Sequence, residues 1–275
     1  MTRRIVIGLI LTIALLGLAR RISSNRPREI IVEKGALRFY HLEVKEQVGR
    51  GRPEVRLMVE PAREGKVYCI YRLVGEGIQH RILMQADGTG RWTASLPDLE
   101  KGRRLEYAFV MRGDGGAAVR LPEREDQFLL IKYKGHYSTV VLVFHVLFMF
   151  GAFFFMIQCL MGAIGILRGR EEKLPTVRMA RWVLFCTFIG GWPLGFILNY
   201  QRFGPLWEGF PFGFDITDNK TQIIFFIWIV TALLVRGSFF GKGERSDTLG
   251  RRAFGWMVVT CCIVSLALYI VPHSL

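Results

Sequence analysis

The sequence predicts a membrane α-helical bundle joined to an all-β sandwich domain. Hydrophobic residues make up 51% of the 275 residues and the mean hydropathy is +0.28, which is too apolar for an ordinary soluble chain of this length. Long uncharged segments lie near the start of the chain and in its second half. Between them, residues 53–132 alternate apolar and polar side chains with a period of two, as half-buried strands do.

Five apolar segments are candidates for membrane-spanning helices, since a helix needs about 20 mostly apolar residues to cross about 30 Å of hydrocarbon. They are residues 5–19, 137–167, 182–200, 221–235 and 253–271. The first is short and follows two arginines, as a signal peptide does, but no small-x-small cleavage site comes after it. We therefore expect an uncleaved signal-anchor helix at residues 1–21 and a four-helix transmembrane module at residues 136–275.

The charges of the loops predict the orientation of these helices. Segments 168–181 and 236–252 each carry five Lys or Arg residues against two acids, so both are expected in the cytoplasm. Segment 201–220 carries two bases, three acids and five Phe or Trp residues, so it is expected outside. This places the N-terminus in the cytoplasm and residues 22–135 outside. Arginines 20, 21, 26 and 28 favour the opposite orientation, but the three later loops agree with one another.

The outer domain reads as seven short strands separated by turn residues. We expect strands at residues 55–59, 66–74, 79–84, 91–95, 104–112, 117–121 and 127–131. In the fifth, Leu105, Tyr107, Phe109 and Met111 fall on one face and Glu106 on the other. Turn signals such as Asp87-Gly88 separate the runs. Seven strands in about 100 residues is the size of an immunoglobulin-like sandwich. We therefore expect such a sandwich at residues 22–135.

Part of this domain resembles a known family. Stretch 84–97, which contains Gly90-Arg91-Trp92, and the later residues Gly102, Tyr107 and Phe109 are similar to early-set immunoglobulin-like domains related to glycogen-binding modules. In those domains a G-x-W strand pairs with a G-x-x-x-x-Y-x-F strand, so the resemblance implies a sandwich fold. Sugar binding in the family depends on exposed aromatic rings. Here Trp92 occupies a core position and is the domain's only tryptophan, so a structural or protein-binding domain is favoured over carbohydrate binding.

Several functional classes have little support in the sequence. Only Cys69 of the five cysteines lies outside the apolar segments, which excludes a disulfide within the outer domain. There is no CxxC, no zinc spacing, no nucleotide-binding glycine loop, no Ser/His/Asp spacing and no HExxH motif, so an enzyme is not favoured and the cofactor is left unassigned. The net charge of +14 is explained by topogenic loops, so the expected surface is a lipid bilayer rather than nucleic acid.

One stripe of the second helix is a candidate cofactor site. Its members recur at spacings of three and four residues and share a narrow face of the helix: His145, Met149, Ala152, Met156, Cys159 and Ala163. His, Met and Cys are soft ligands suited to Cu(I), and a histidine can also bind haem iron. The alternative, which we favour, is a packing seam in which alanines allow close helix approach and methionine fills gaps.

A second candidate site lies at the predicted outer edge of the membrane. The predicted topology brings His136, His273, Asp215 and Asp218 to the same face, where they could bind a metal ion or a quinone headgroup. The structural alternative is that Thr217 and Asp218 cap the fourth helix and that the histidines are interface residues. The loop between the third and fourth helices is rich in aromatic residues, Gly and Pro, so we expect a folded interfacial or partly re-entrant segment.

The third helix contains Gly190-Gly191-Trp192-Pro193, which predicts a kink at mid-membrane and the place for any small cavity. A transporter is weakly supported, because no internal repeat is present and no Asp, Glu, Lys or Arg lies inside the predicted spans.

The last 140 or so residues are similar to uncharacterised multi-pass membrane proteins of bacteria, on the phrases Phe-Gly-Phe-Asp-Ile-Thr-Asp-Asn-Lys-Thr and Ile-Val-Pro-His-Ser. This resemblance implies a bacterial cytoplasmic membrane and no activity. We expect a non-enzymatic accessory or scaffold protein that binds other membrane or periplasmic proteins through its outer domain. The competing hypothesis is a haem-, copper- or quinone-binding redox subunit that uses His145 and the outer-edge histidines.

Overall fold

The computed structural model describes residues 2–22, 27–63, 65–112 and 118–271. The chain divides into two compact units. The first, called the helical unit below, comprises Met1–Ser24, Tyr137–Tyr200 and Leu206–Leu275. The second, called the β unit, comprises Asn25–His136 and Gln201–Pro205.

The described part of the β unit contains eleven strands. They are β1 (Glu29–Lys34), β2 (Leu37–Leu42), β3 (Glu46–Val48), β4 (Glu54–Glu60), β5 (Lys66–Leu73), β6 (His80–Leu83), β7 (Gln85–Ala86), β8 (Arg91–Ser95), β9 (Arg104–Arg112), β10 (Ala118–Leu121) and β11 (Leu129–Lys134). One sheet has the order β1-β2-β4-β8-β7, and the other has the order β3-β11-β9-β5-β6 with β10 paired to β9. The pairs are antiparallel except for β3 with β11, which are parallel.

The two sheets pack around one apolar core, so the expectation of a β-sandwich is confirmed at the level of two packed sheets. Alternate residues of β4 (Val55, Leu57, Val59) and β9 (Leu105, Tyr107, Phe109, Met111) are buried in it. This is the alternation that the sequence pattern predicts, because successive side chains of a strand point to opposite faces. Trp92 on β8 is only 6% exposed and belongs to the same core, as its position in the pattern predicts.

The strand predictions were wrong at both ends of the domain. They omitted β1, β2 and β3, although Gly35 has a φ of +63° and provides the turn between β1 and β2. The predicted strand at 79–84 corresponds to β6 alone, and the short strand β7, which follows the buried Met84 and belongs to the other sheet, was not predicted. The last strand begins at Leu129 and ends at Lys134, rather than at 127 and 131. Residue 117 of the predicted sixth strand lies outside the described residues.

The described helices and helical turns belong to the helical unit, apart from the last three residues of α4. They are α1 (Thr2–Ile22), α2 (Thr139–Leu167), α3 (Lys173–Ile189), a π-helical turn (Gly190–Leu194), α4 (Gly195–Phe203), α5 (Ile216–Leu234), α6 (Arg236–Phe239), a 3₁₀ turn (Glu244–Ser246) and α7 (Arg251–Ile270). The π-helical turn contains Pro193 and coincides with the position where the sequence predicts a kink. Proline has no N–H to donate, so the regular hydrogen-bond pattern cannot continue through it.

Three helices in the described part of the chain are long and apolar enough to cross a membrane. They are Thr139–Leu167, Lys173–Phe203 (α3, the π-helical turn and α4 together) and Arg251–Ile270. The other two predicted spans fall in α1 and α5, which are not among these three. Polar residues fill positions 217–222 at the start of α5 and lower its mean hydropathy. That α1 and α5 also cross the membrane stays a prediction.

A buried ion pair connects the two basic segments of the helical unit. Nζ of Lys173 donates to Asp247 over 2.7 Å and also to the carbonyl oxygen of Leu249 over 2.7 Å, and both charged side chains are 1% exposed. Asp247 also accepts from the backbone N–H of Ser238 over 2.8 Å. Burial would raise the pKa of Asp247, but the hydrogen bonds from Lys173 and Ser238 outweigh it and hold the pKa below its usual value.

Candidate functional sites

The stripe on α2 is buried against α3 and α7 over its second half. Ala152, Met156, Cys159 and Ala163 belong to the core of the helical unit, together with residues of α3 and α7. A Cβ added to Gly162, beside the stripe, would lie 2.3 Å from Oγ1 of Thr176 on α3. The backbones of α2 and α3 therefore approach each other closely. This arrangement fits the packing-seam interpretation, in which small residues let two helices come together.

His145 has a structural partner at the π-helical turn. Its Nδ1 lies 2.9 Å from the carbonyl oxygen of Gly190. A carbonyl can only accept, so Nδ1 carries a proton; in the neutral form of the ring Nε2 is then the acceptor. Met149 lies against the same turn, since a Cβ added to Gly190 would be 2.9 Å from its Sδ. The kinked turn of one helix is therefore supported by two side chains of its neighbour.

Two cysteines of this region contact backbone carbonyls. Sγ of Cys262 donates to the carbonyl oxygen of Met156 over 3.3 Å, and Sγ of Cys159 contacts the carbonyl oxygen of Thr176 at 3.8 Å. Among the described residues there is no group of three or more His, Cys, Asp or Glu side chains that could hold a metal ion. The copper or haem hypothesis for His145, Met149, Met156 and Cys159 stays a prediction.

The four predicted outer-edge residues are divided between the two units and a segment outside the described residues, so their common site stays a prediction. Asp215 and Asp218 belong to the helical unit, His136 belongs to the β unit, and His273 lies outside the described residues. The prediction that Thr217 and Asp218 cap α5 was wrong, because the N-cap is Asp215, which accepts from the N–H groups of Thr217 and Asp218 over 2.8 and 3.1 Å. The side chain of Asp218 instead accepts from the N–H of Glu208 over 2.7 Å and so ties the preceding loop to the helix.

The loop before α5 is folded and presents phenylalanine side chains outward. Backbone hydrogen bonds run from Phe212 and Gly213 to Gly209, and from Asp215 to Glu208. Phe212 and Phe214 are nevertheless 84% and 87% exposed. Trp207 stacks on Trp192 of the π-helical turn with ring centroids 6.0 Å apart. These contacts agree with the expected folded, aromatic-rich segment, and exposed Phe side chains of this kind suit a membrane interface.

The outward face of β1 and β2 carries an apolar patch that the sequence interpretation missed. We name it the Tyr40 face and define it by Ile31, Tyr40 and Leu42, all of them exposed. Ile31 lies directly opposite Tyr40 across the two strands. Glu33 and Arg38 lie beside the pair and form an ion pair at 3.4 Å. An apolar centre with a charged rim is the anatomy of a protein-binding surface.

Comparison with known proteins does not identify a function for this chain. No family model and no curated protein matches the chain. A solved structure described as "Crystal structure of Br derivative BhCBM56" is 14% identical, covering 37% of this chain and 97% of that chain with a TM-score of 0.27. A second, described as "pT26-6p", is 12% identical and covers 85% of this chain and 48% of that chain with a TM-score of 0.18. This chain therefore spans about half the length of the second structure.

Proposed function

We propose that this chain is a non-enzymatic membrane accessory or scaffold protein whose immunoglobulin-like domain binds a partner protein outside the cytoplasm. The Tyr40 face is the observation that carries the proposal. It places an exposed tyrosine opposite an exposed isoleucine on a pair of antiparallel strands. Tyrosine supplies a large contact area at a low cost in conformational entropy, and it is enriched among the residues that dominate binding energy.

The setting of this domain is part of the same proposal. We infer a bacterial cytoplasmic membrane, a cytoplasmic N-terminus and an outer location for residues 22–135, with a membrane or periplasmic protein as the partner. The three helices that are long and apolar enough to span a membrane support a membrane protein. The basic residues of segments 168–181 and 236–252 support the orientation. Carbohydrate is not proposed as a ligand, because Trp92 is buried in the core.

A photo-crosslinking experiment tests the proposal. A photoreactive phenylalanine analogue is placed at Tyr40 in the full chain in cells, and a matched one at Ile78, which is also exposed but lies outside the Tyr40 face. We expect a discrete crosslinked protein from position 40 and none from position 78. The Tyr40→Ser variant should lose that partner after mild solubilisation, whereas Ile78→Ser should keep it. The same adducts from both positions, or none from position 40, would contradict the proposal.

The competing redox hypothesis makes a different prediction for the same purified protein. Its haem and copper forms require a Soret band or near-stoichiometric copper in detergent solution, and the His145→Leu variant should lose that signal where His145 is the ligand. Under the proposal made here, His145→Leu removes only the hydrogen bond to Gly190, and the partner crosslinked through position 40 is unchanged.

A further inference from the structure

A cavity of about 510 Å³ lies in the β unit beside the end of β11. Arg50, Lys101, Lys134 and His136 line it, and Glu100 is the acidic residue among its lining residues. Its volume is within the range of about 300–1,000 Å³ that is typical of small-molecule sites.

The charges around this cavity favour an anion. Lys134 and Arg202 both pair with the one carboxylate of Glu46, with Arg202 at 3.3 Å. Arg50 and Glu100 are 3.7 Å apart, and both side chains are well exposed, so this pair contributes little. The four basic residues in and beside the cavity outnumber the two glutamates by two; they are Arg50, Lys101, Lys134 and Arg202 against Glu46 and Glu100. A concave surface with an excess of one charge sign concentrates the electrostatic field inside it.

Glycine backbone gives the cavity wall its shape. Gly49 has a φ of +74°, and a Cβ there would lie 2.5 Å from Nε2 of His136. A Cβ on Gly135 would lie 2.2 Å from the carbonyl oxygen of Gln201 and 3.1 Å from Cδ of Lys101. Larger residues at these two positions would therefore displace His136 and Lys101, two of the donors that line the cavity.

We propose that this cavity binds a phosphate group, carried either by a membrane-lipid headgroup or by a soluble phosphate ester. Arginine and lysine together supply directed, charge-assisted hydrogen bonds to phosphate oxygens. Along the chain, His136 lies three residues before the first residue of α2, and Gly204 directly follows α4. Both helices belong to segments that can span a membrane, so a lipid headgroup is the source to test first. The proposal does not depend on the Tyr40 face.

Thermal unfolding of the full chain in a neutral detergent tests this site, because a ligand that binds only the folded state raises the melting temperature. The probes are phosphatidylglycerol, with phosphatidylcholine as its control, and inorganic phosphate, with chloride at equal ionic strength as its control. The test variants are Lys101→Glu and Arg50→Glu. The matched control is Lys34→Glu, which makes the same charge change at an exposed residue of β1, outside the cavity.

We expect at least one phosphate-bearing probe to stabilise the wild-type chain beyond its control. Both cavity variants should bind that probe about tenfold more weakly, and Lys34→Glu should match the wild type. A response to phosphatidylglycerol alone identifies a lipid headgroup, and a response to inorganic phosphate alone identifies a soluble ester. Equal responses in the cavity variants and Lys34→Glu, or no response from either probe, would overturn the inference. The crosslinking experiment at position 40 tests the proposed function separately, and its result does not depend on any of these outcomes.

Discussion

His41 lies at the centre of a hydrogen-bond chain inside the β unit. The backbone N–H of Val44 donates to the Tyr107 hydroxyl over 3.2 Å, and that hydroxyl lies 2.8 Å from Nε2 of His41. Nδ1 of His41 in turn donates to the carbonyl oxygen of Arg56 over 2.6 Å. Each group uses the role that a neutral imidazole allows. The ring is fully buried, and desolvation lowers the pKa of His41 below its ordinary value of 6.5 although the Arg56 carbonyl acts in the opposite direction.

The lowered pKa of His41 predicts that the folded protein loses stability in mild acid. The unfolded chain takes up a proton on His41 near pH 6.5, and the folded chain does so only at lower pH. The stabilising contribution of neutral His41 is therefore complete above about pH 6.5 and is lost as the pH falls from there toward the lowered pKa. We expect the melting temperature of the β unit to be lower at pH 5 than at pH 7.5. Limited proteolysis of the full chain at increasing temperature measures it.

Two variants isolate this effect. His41→Gln should be less stable than the wild type at pH 7.5 and should lose most of the decline between pH 7.5 and pH 5. His80→Gln is the matched control, because His80 is exposed and its ring stacks on Tyr71 rather than entering the core. It should keep the decline of the wild type. An unchanged decline in His41→Gln would show that other groups cause it.

At the scale of the elements, the contact between α2 and α3 is set by small residues. Gly162 on α2 faces Thr176, whereas Gly151, three turns earlier on the same helix, has room because a Cβ there would be 3.4 Å from Sγ of Cys186. Alanine is a better helix former than glycine by about 1 kcal/mol, and this gain applies at both positions. A difference between the two alanine variants therefore reports on packing between the helices.

We expect Gly162→Ala to destabilise the helical unit and Gly151→Ala to leave it unchanged or slightly more stable. The added methyl group at position 162 must push Thr176 away, and overpacking of this kind costs about 1–3 kcal/mol. The measurement is the melting temperature of the detergent-purified chain, read from tryptophan fluorescence. Equal melting temperatures for the two variants would mean that the stripe on α2 is not a tight seam.

Elements with a local signal could be predicted from the sequence, and contacts between distant residues could not. Strands β4, β5, β8 and β9 were found because alternation and turn glycines coincide there. The pairing of β3 with β11 joins Glu46 to Lys132, far apart along the chain, and nothing local marks it. In the same way, the sequence identified Lys173 and Asp247 only as charged loop residues. Their ion pair could not be predicted, because it forms only when α3 packs against the segment before α7.

The candidate site shows the same limit. Helical periodicity placed His145, Met156 and Cys159 on one face of α2, and the structure buries that face for its second half. The partner of His145 could not be predicted, because the Gly190 carbonyl is available only through the π-helical turn of a neighbouring helix. The Tyr40 face was missed for a related reason. It requires the register of β1 against β2, and those two strands were not predicted.

At the scale of the whole molecule, the predicted orientation in the membrane rests on the charges of the loops and is open to a direct test. All five cysteines are buried, so the wild-type chain should react little with a maleimide in the native state. Single cysteines can therefore be introduced at Gly77, where an added Cβ meets nothing within 4 Å, and at Lys242, which is exposed. Gly77 lies in the predicted outer domain, and Lys242 lies in the predicted cytoplasmic segment 236–252.

A membrane-impermeant maleimide should label Gly77→Cys in intact bacterial spheroplasts and Lys242→Cys only after the membrane is permeabilised. The physical reason is that five basic residues in segment 236–252 resist transfer across the membrane, which holds that segment on the cytoplasmic side. The wild-type chain measures the background from buried thiols. The reverse labelling pattern would place residues 22–135 in the cytoplasm and would remove the outer partner from the proposed function. Labelling of both variants before permeabilisation would place the two segments on the same side and contradict the order of membrane crossings between them.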